Sequence, residues 1–189
     1  MMRQVAMVRF KFDWQKTIEA IEFIARQEPG ITQYYIGKIL FFADREHVLD
    51  YGRPITGDKY VAMEYGPVPS GVRDLLKFDS GFPDEILDEL QAHIGIEHEG
   101  NKQRVYSKSG SDLPKLSGSD KTYLIASIRK YAKMSFPRLK DVSHEDVAYN
   151  EAWDRPGNAN EMNIELWLEE LDDPQAAKAQ INEYANCAA

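Results

Sequence analysis

Residues Thr32 to Tyr51 restrict the fold more than any other stretch of the chain. The segment TQYYIGKILFFADREHVLDY stops at Gly52, and Thr32 can cap its start. Ile36, Leu40, Ala43 and His47 share one helical face, Ile39, Phe42 and Glu46 lie beside it, and Tyr35 and Phe41 widen the apolar part. A helix apolar over so much of its circumference has to be covered on most sides. The expected fold class is therefore mainly α (α+β), a compact helical domain built round this central helix. A chain of 189 residues supplies one such core and would be cramped as two.

The flanking segments supply the cover. Asp13 can cap a helix from Trp14 to about Gln27, with Trp14, Ile18, Ile21 and Ala25 at helical spacing, Ile24 beside them, and Glu28-Pro29-Gly30 to end it. Residues 52–71, GRPITGDKYVAMEYGPVPSG, carry four glycines and three prolines round an apolar piece from Tyr60 to Met63. Their aromatic and aliphatic content marks a structured connection, not a disordered linker. Val72, Leu75 and Leu76 mark the next helix, and a short helix from Pro83 to about Ala92 packs through Ile86, Leu87 and Leu90. Residues 94–107 read as a small β hairpin turning at Gly100-Asn101. Two strands alone are marginal, so the hairpin needs the helices or a third strand, for which the Tyr60 piece is a candidate.

Beyond a Ser/Gly-rich loop, Ser117 and Asp120 form a capping-box pattern for a helix to about Met134. Ser143 and Asp146 give a second capping pattern, leading into Val147, Ala148, Ala152 and Trp153 and ended by Arg155-Pro156-Gly157-Asn158. Ile164 to Leu171 and Pro174 to Tyr184 read as two last helices. The expected organisation is an N-terminal extension over 1–12 packed on the domain, one domain over 13–172, and a C-terminal helix and tail over 173–189.

Composition narrows the classes of function. Cys187 is the one cysteine, so no intrachain disulfide forms. There is no apolar run long enough for a membrane span and no signal-peptide pattern, which gives a cytoplasmic location as the expectation. The net charge of -8 argues against non-specific nucleic-acid binding. It is unevenly spread: residues 102–140 carry 10 basic and 2 acidic residues, residues 141–189 carry 2 basic and 12 acidic. Either the two segments pack together and their fields cancel, or the basic one is a charged partner surface.

Catalytic patterns are missing. His47, His93, His98 and His144 are the four histidines; His93 and His98 flank a candidate strand, but a structural zinc site usually needs four ligands. His144-Glu145 is not part of an HExxH motif, because position 148 is alanine. Ser143 beside His144 is adjacency, not a nucleophile–base pair. Asp44 and Glu46 sit two positions apart and so lie on different faces of their helix, against a paired-carboxylate site. Arg45 can instead pair with Asp58 or Glu64. Gly66-Pro67-Val68-Pro69 cannot cradle phosphate, since two of its residues lack an N–H. The expectation is no enzyme, no metal and no cofactor.

The run IGKILFFADREHVLDYGRPITGDKYVAMEYGPVPSGVRDLL, Ile36 to Leu76, resembles the Panacea domain, the antitoxin family that includes the SocA-like proteins and phage-associated GepA-like proteins. The matching units are Phe42-Ala43-Asp44, Tyr51 through Gly57, Tyr60, and Gly66-Pro67-Val68. LKDVSHEDVAYNEAW, Leu139 to Trp153, is similar to the family's second signature, a Ser-His followed by Ala-Trp. The likeness extends from Trp14 to about Leu171.

The resemblance implies a helical domain with a small β element that neutralises a cognate toxin, the product of a neighbouring gene, by direct contact. In the SocA-like branch it also implies a proteolytic adaptor that delivers the toxin to ClpXP. Tyr51, Arg53, Tyr60, Tyr65, Arg73 and His144 are the candidate partner contacts. The competing reading makes the motif a fold signature, with Asp44, Arg45, Gly52, Pro54, Gly57, Gly66, Pro67, Ser143 and Trp153 holding the architecture and Tyr60 buried. Two other functions stay open from the sequence: a nucleic-acid-binding regulator using residues 102–140, and a small enzyme with an unrecognised polar pocket. A homo-oligomer is also open. The final Ala188-Ala189 resembles a degradation signal of the kind ClpX-type unfoldases read; changing both to aspartate should then lengthen cellular half-life.

Overall fold

A computed structural model of the chain describes residues 7–78 and 81–187; the Ala188-Ala189 expectation lies outside the described residues. The described residues are mainly helical with two small antiparallel sheets.

Helix α1 (Trp14–Gln27) starts where Asp13 accepts from the Lys16 amide at 3.0 Å, and it buries Ile18, Ile21, Ile24 and Ala25. Helix α2 (Gln33–Tyr51) is the centre: Ile36, Ile39, Leu40, Phe41, Ala43 and Val48 are all within a few per cent of complete burial. Gly52 closes it in a left-handed conformation, its N–H bonded to the Val48 carbonyl. Thr32 precedes the helix but its side chain makes no capping bond, contrary to expectation. It belongs instead to strand β1 (Ile31–Thr32), whose extended backbone is fixed by pairing.

Strands β2 (Tyr60–Met63) and β3 (Gly66–Pro69) form a tight hairpin with Tyr60 opposite Pro69 and Met63 opposite Gly66. The prolines of β3 are tolerated because the strand is an edge and gives up no further ladder. Helix α3 (Ser70–Leu76) follows directly. Helix α4 (Asp84–His93) runs into strands β4 (Ile94–Glu99) and β5 (Lys102–Ser107), which turn at Gly100-Asn101 as the sequence suggests. The third strand of that sheet is β1, with Ile31 opposite Val105, and not the Tyr60 piece. The sequence gives β1 no signal of its own, since two residues between helices carry no periodicity.

Helix α5 (Gly118–Tyr131) has the full Ser117/Asp120 capping box and lies along α2, where Phe42 and Tyr131 stack with ring centres 3.9 Å apart. A helix the sequence reading missed, α6 (Phe136–His144), comes next. Ser143 is therefore inside α6, its hydroxyl donating to the Lys140 carbonyl at 2.8 Å, and is not the cap of the following helix. Asp146 caps α7 (Val147–Asp154) by accepting from the Tyr149 amide. In α7, Ala148, Tyr149 and Ala152 are buried, whereas Val147 and Trp153 are 48% and 49% exposed.

A 3-10 helix (Ile164–Glu170) places Trp167 in the core against Phe41 and Tyr60. Helix α8 (Pro174–Cys187) buries Ile181 and Ala185. Buried apolar residues form one cluster that includes Val8 at one end of the chain and Ala185 at the other. No helix among the described residues is long and apolar enough to cross a membrane.

Candidate protein-binding surface

The two signature segments are held against α2 by buried polar groups. Asp44, fully buried, is the anchor for the 52–60 connection. It accepts from the amides of Ile55 (2.6 Å) and Thr56 (3.4 Å), the Thr56 hydroxyl (2.9 Å) and the Tyr60 hydroxyl (2.7 Å). Burial pushes its carboxyl up from the ordinary aspartate value, and these four donors pull it back. Tyr60 is 2% exposed and spends its hydroxyl on Asp44, so it is an interior residue and leaves the set of candidate contacts. Gly57 lets this connection lie against the N-terminal segment: a Cβ there would sit 2.1 Å from the Lys11 carbonyl, at a φ of +70°. Pro54 is buried in the same connection.

Arg45 does not pair with Asp58 or Glu64. Its guanidinium reaches Glu46, Glu170 and, at 3.3 Å, Asp146, tying α2 to α7 and the 3-10 helix. Asp58 is occupied elsewhere, accepting from the amides of Gly71 and Val72 at the start of α3, and burial raises its pKa to about 6.

At the other end of α2 the two signatures meet. Lys38, 2% exposed, donates to the Pro67 carbonyl at 2.8 Å. Gly66 adopts a φ of +96°, and a Cβ on it would meet Ser143 Oγ at 2.3 Å, Lys38 Nζ at 3.0 Å and the His144 ring at 3.3 Å. Only glycine allows β3 to lie this close to α6. His144 stacks on Tyr149 with ring centres 4.6 Å apart, and Tyr149 donates its hydroxyl to the Met63 carbonyl at 3.0 Å. Burial, then the nearby cations of Lys140 and Lys38, push the His144 pKa down.

This packing leaves aromatic rings in solvent. Tyr65 is 51% exposed at the β2–β3 turn, its ring centre 5.6 Å from that of Phe136, which is 42% exposed. Phe136 in turn lies 4.7 Å from Tyr34. Tyr149, on which His144 stacks, also stacks with Trp153, ring centres 5.9 Å apart. Beside these rings, α2, β3, α3 and the tip of the β4–β5 hairpin enclose an open groove of about 980 Å³. Its walls include Tyr34, Tyr35, Met63, Val68, Val72 and Phe136, and its cations are Lys38, Arg73, Lys77 and Lys102.

The candidate contacts thus split. Arg73 lines the groove, Tyr65 lies against Phe136 on its wall, and His144 packs beside Gly66 and Tyr149. Tyr51 and Arg53 lie at the opposite end of α2, about 25 Å away along its axis. There Tyr51 stacks on buried His47 at 4.7 Å and Arg53 donates to the buried Asp120 carboxylate at 3.2 Å, which Lys16 also pairs at 2.8 Å. Burial alone would raise the Asp120 pKa; Lys16 and the Ser117 amide outweigh it and hold it down. Sequence reading passed over Lys38, Tyr34 and Phe136. A lone lysine inside the apolar run Ile36–Phe42, and Ser135-Phe136-Pro137 as a helix start, were the available signals.

The basic stretch 102–140 is divided among β5, α5, α6 and the loops between. Among the described residues its basic side chains pair with Glu99 and Glu28, while the acidic 141–189 stretch pairs with Arg9, Arg45 and its own Arg155 and Lys178, so the two are not matched to each other. The histidines are scattered: His47 in the core, His93 on Glu22, His98 on the hairpin and His144 on Tyr149.

The family model described as antitoxin SocA-like, Panacea domain, matches residues 36–153, from the start of the buried face of α2 to Trp153. The match leaves out α1 and the 3-10 helix, which the sequence likeness had included. No curated protein and no solved structure matches the chain.

Proposed function

The chain belongs to the SocA-like antitoxin family defined by the Panacea domain, and from that premise we propose that it is a non-catalytic binding module that neutralises a toxin encoded beside it by direct contact. The observation that carries this reading is the exposure of Tyr65, Phe136 and Trp153 where the two signature segments meet. Half-exposed rings whose other faces are packed are stiff, and ordering them on binding costs little entropy. Tyr and Trp are the residue types that dominate binding energy at interfaces. Tyr51 at the far end of α2 is then a secondary contact or none.

Toxin delivery to ClpXP, in the manner of a proteolytic adaptor, is the finer form of the proposal, and a cytoplasmic site of action goes with it. The test is co-expression of the neighbouring gene product with the wild-type chain and with Phe136→Ala and Trp153→Ala. Wild type should rescue growth and co-purify with the toxin; each variant should lose about tenfold or more in affinity, the size of a hot-spot truncation. A non-toxic neighbour, or capture unaffected by both variants, would overturn the reading. Added ClpXP separates sequestration from delivery, because only delivery shortens the toxin's half-life.

A further inference from the structure

Two residues of the groove carry buried polar atoms that the protein leaves short of partners. Lys38 forms no ion pair among the described residues. Its ammonium has the Pro67 carbonyl at 2.8 Å and the Tyr34 ring centre at 4.9 Å. The Tyr34 hydroxyl is buried with no hydrogen-bond partner. An enclosed ammonium with donors to spare and an enclosed hydroxyl are both completed by one kind of group, an anion with two acceptor oxygens.

The lining has the matching sign. Burial first, then Tyr35 and Asp141, raise the Tyr34 pKa, and Asp141 is the one carboxylate acting on it among the described residues. Arg73, Lys77 and Lys102 add three cations to the lining, and none of the lining residues is Asp or Glu, in a chain whose net charge is -8. Arg73 shares its charge with Asp74 outside the groove; Lys77 and Lys102 are exposed. Apolar side chains, Met63, Val68 and Val72 among them, share the lining with these cations.

We propose that this groove takes an acidic side chain of the protein partner, whose carboxylate accepts from the Lys38 ammonium and the Tyr34 hydroxyl while neighbouring apolar side chains of the same segment lie against Val68 and Phe136. The inference rests on the protein-binding reading above and adds the chemistry of the contacted segment. A nucleic acid is disfavoured: the chain carries a net charge of -8, and the central cation of the groove is 2% exposed, enclosed where a phosphate backbone running over the surface does not reach it. Burial lowers the Lys38 pKa to about 7, so a paired carboxylate would return the amine to its charged form.

The test uses two capped synthetic decapeptides, one alternating glutamate with leucine and phenylalanine, the other with glutamine at every glutamate. Each is titrated into the full chain and into Lys38→Met by fluorescence anisotropy, with amide chemical shifts to locate the contact. Near-UV circular dichroism verifies that the variant is folded. The glutamate peptide should bind wild type about tenfold tighter than its glutamine counterpart, as one charge-assisted contact allows, with shifts at Lys38, Val68 and Arg73. The preference should fall below about twofold in Lys38→Met.

Equal binding of the two peptides, binding of neither, or a preference that survives in Lys38→Met would overturn the proposal. So would displacement of the acidic peptide by oligothymidylate at lower concentration. A dimer that the acidic peptide dissociates would assign the groove to a second copy's acidic segment and overturn the foreign-partner assignment. The two readings fail separately: toxin capture that depends on Phe136 and Trp153 but not on Lys38 keeps the binding module and removes the carboxylate site.

Discussion

Replacing Lys38 by methionine should stabilise the protein, and by an amount that depends on pH. The ammonium sits among α2, β3 and α6 with one carbonyl to bond, and burial lowers its pKa from 10.5 to about 7. Below about pH 7 the lysine is charged in both the folded and unfolded chain, so the folded state bears the whole cost of enclosing the charge. Between about 7 and 10.5 the unfolded state holds more protons, and stability rises with pH across that window. At about 1.4 kcal/mol per pKa unit the full cost is about 5 kcal/mol. Methionine fills similar volume and removes that cost, but leaves the Pro67 carbonyl without its donor, a loss of about 1–2 kcal/mol. The net expectation is a gain of about 3 kcal/mol near pH 6, vanishing or turning to a slight loss near pH 10. Urea unfolding of both proteins at pH 6, 8 and 10 measures it. A variant less stable than wild type at pH 6, or a difference that is the same at all three pH values, refutes the reasoning.

Gly66→Ala should cost about 2–4 kcal/mol, since its Cβ would meet Ser143 Oγ at 2.3 Å from a strained backbone. Ser143→Ala in the same chain should recover about 1 kcal/mol of that in a double-mutant cycle, and additive effects would place the strain elsewhere. Asp44→Ala should cost at least about 3 kcal/mol in thermal or urea unfolding, because it strands the amides of Ile55 and Thr56 and the hydroxyls of Thr56 and Tyr60 in the interior. A loss below about 1 kcal/mol would mean that water takes over the Asp44 donors.

The local signals were readable where one residue type has one physical use. Asp13 caps α1, the Ser117/Asp120 box caps α5 and Gly52 closes α2, because each satisfies helix-end groups from within a few residues of sequence. The same logic misled at Ser143 and Asp146. The spacing fits a capping box, but Phe136–His144 had already formed a helix that took Ser143 inside it. Arg45 was misassigned for a related reason: helical phase fixes which way it points, not which of several carboxylates the fold brings there. Trp153 was read as one of the residues that hold the architecture; it is 49% exposed, and Trp167 is the tryptophan fully enclosed in the core.

By itself the sequence determined a helix too apolar to stand alone, the helices and hairpin that cover it, and the family resemblance spanning both signatures, because periodicity, caps and turns act over short stretches of chain. Only the tertiary structure decided that Gly66, Ser143 and Lys38 meet, that Tyr60 turns inward while Tyr65 turns out, and that four cations share a groove without a carboxylate. Those are contacts between residues tens of positions apart, and packing of the whole core, not local preference, fixes which of them face each other.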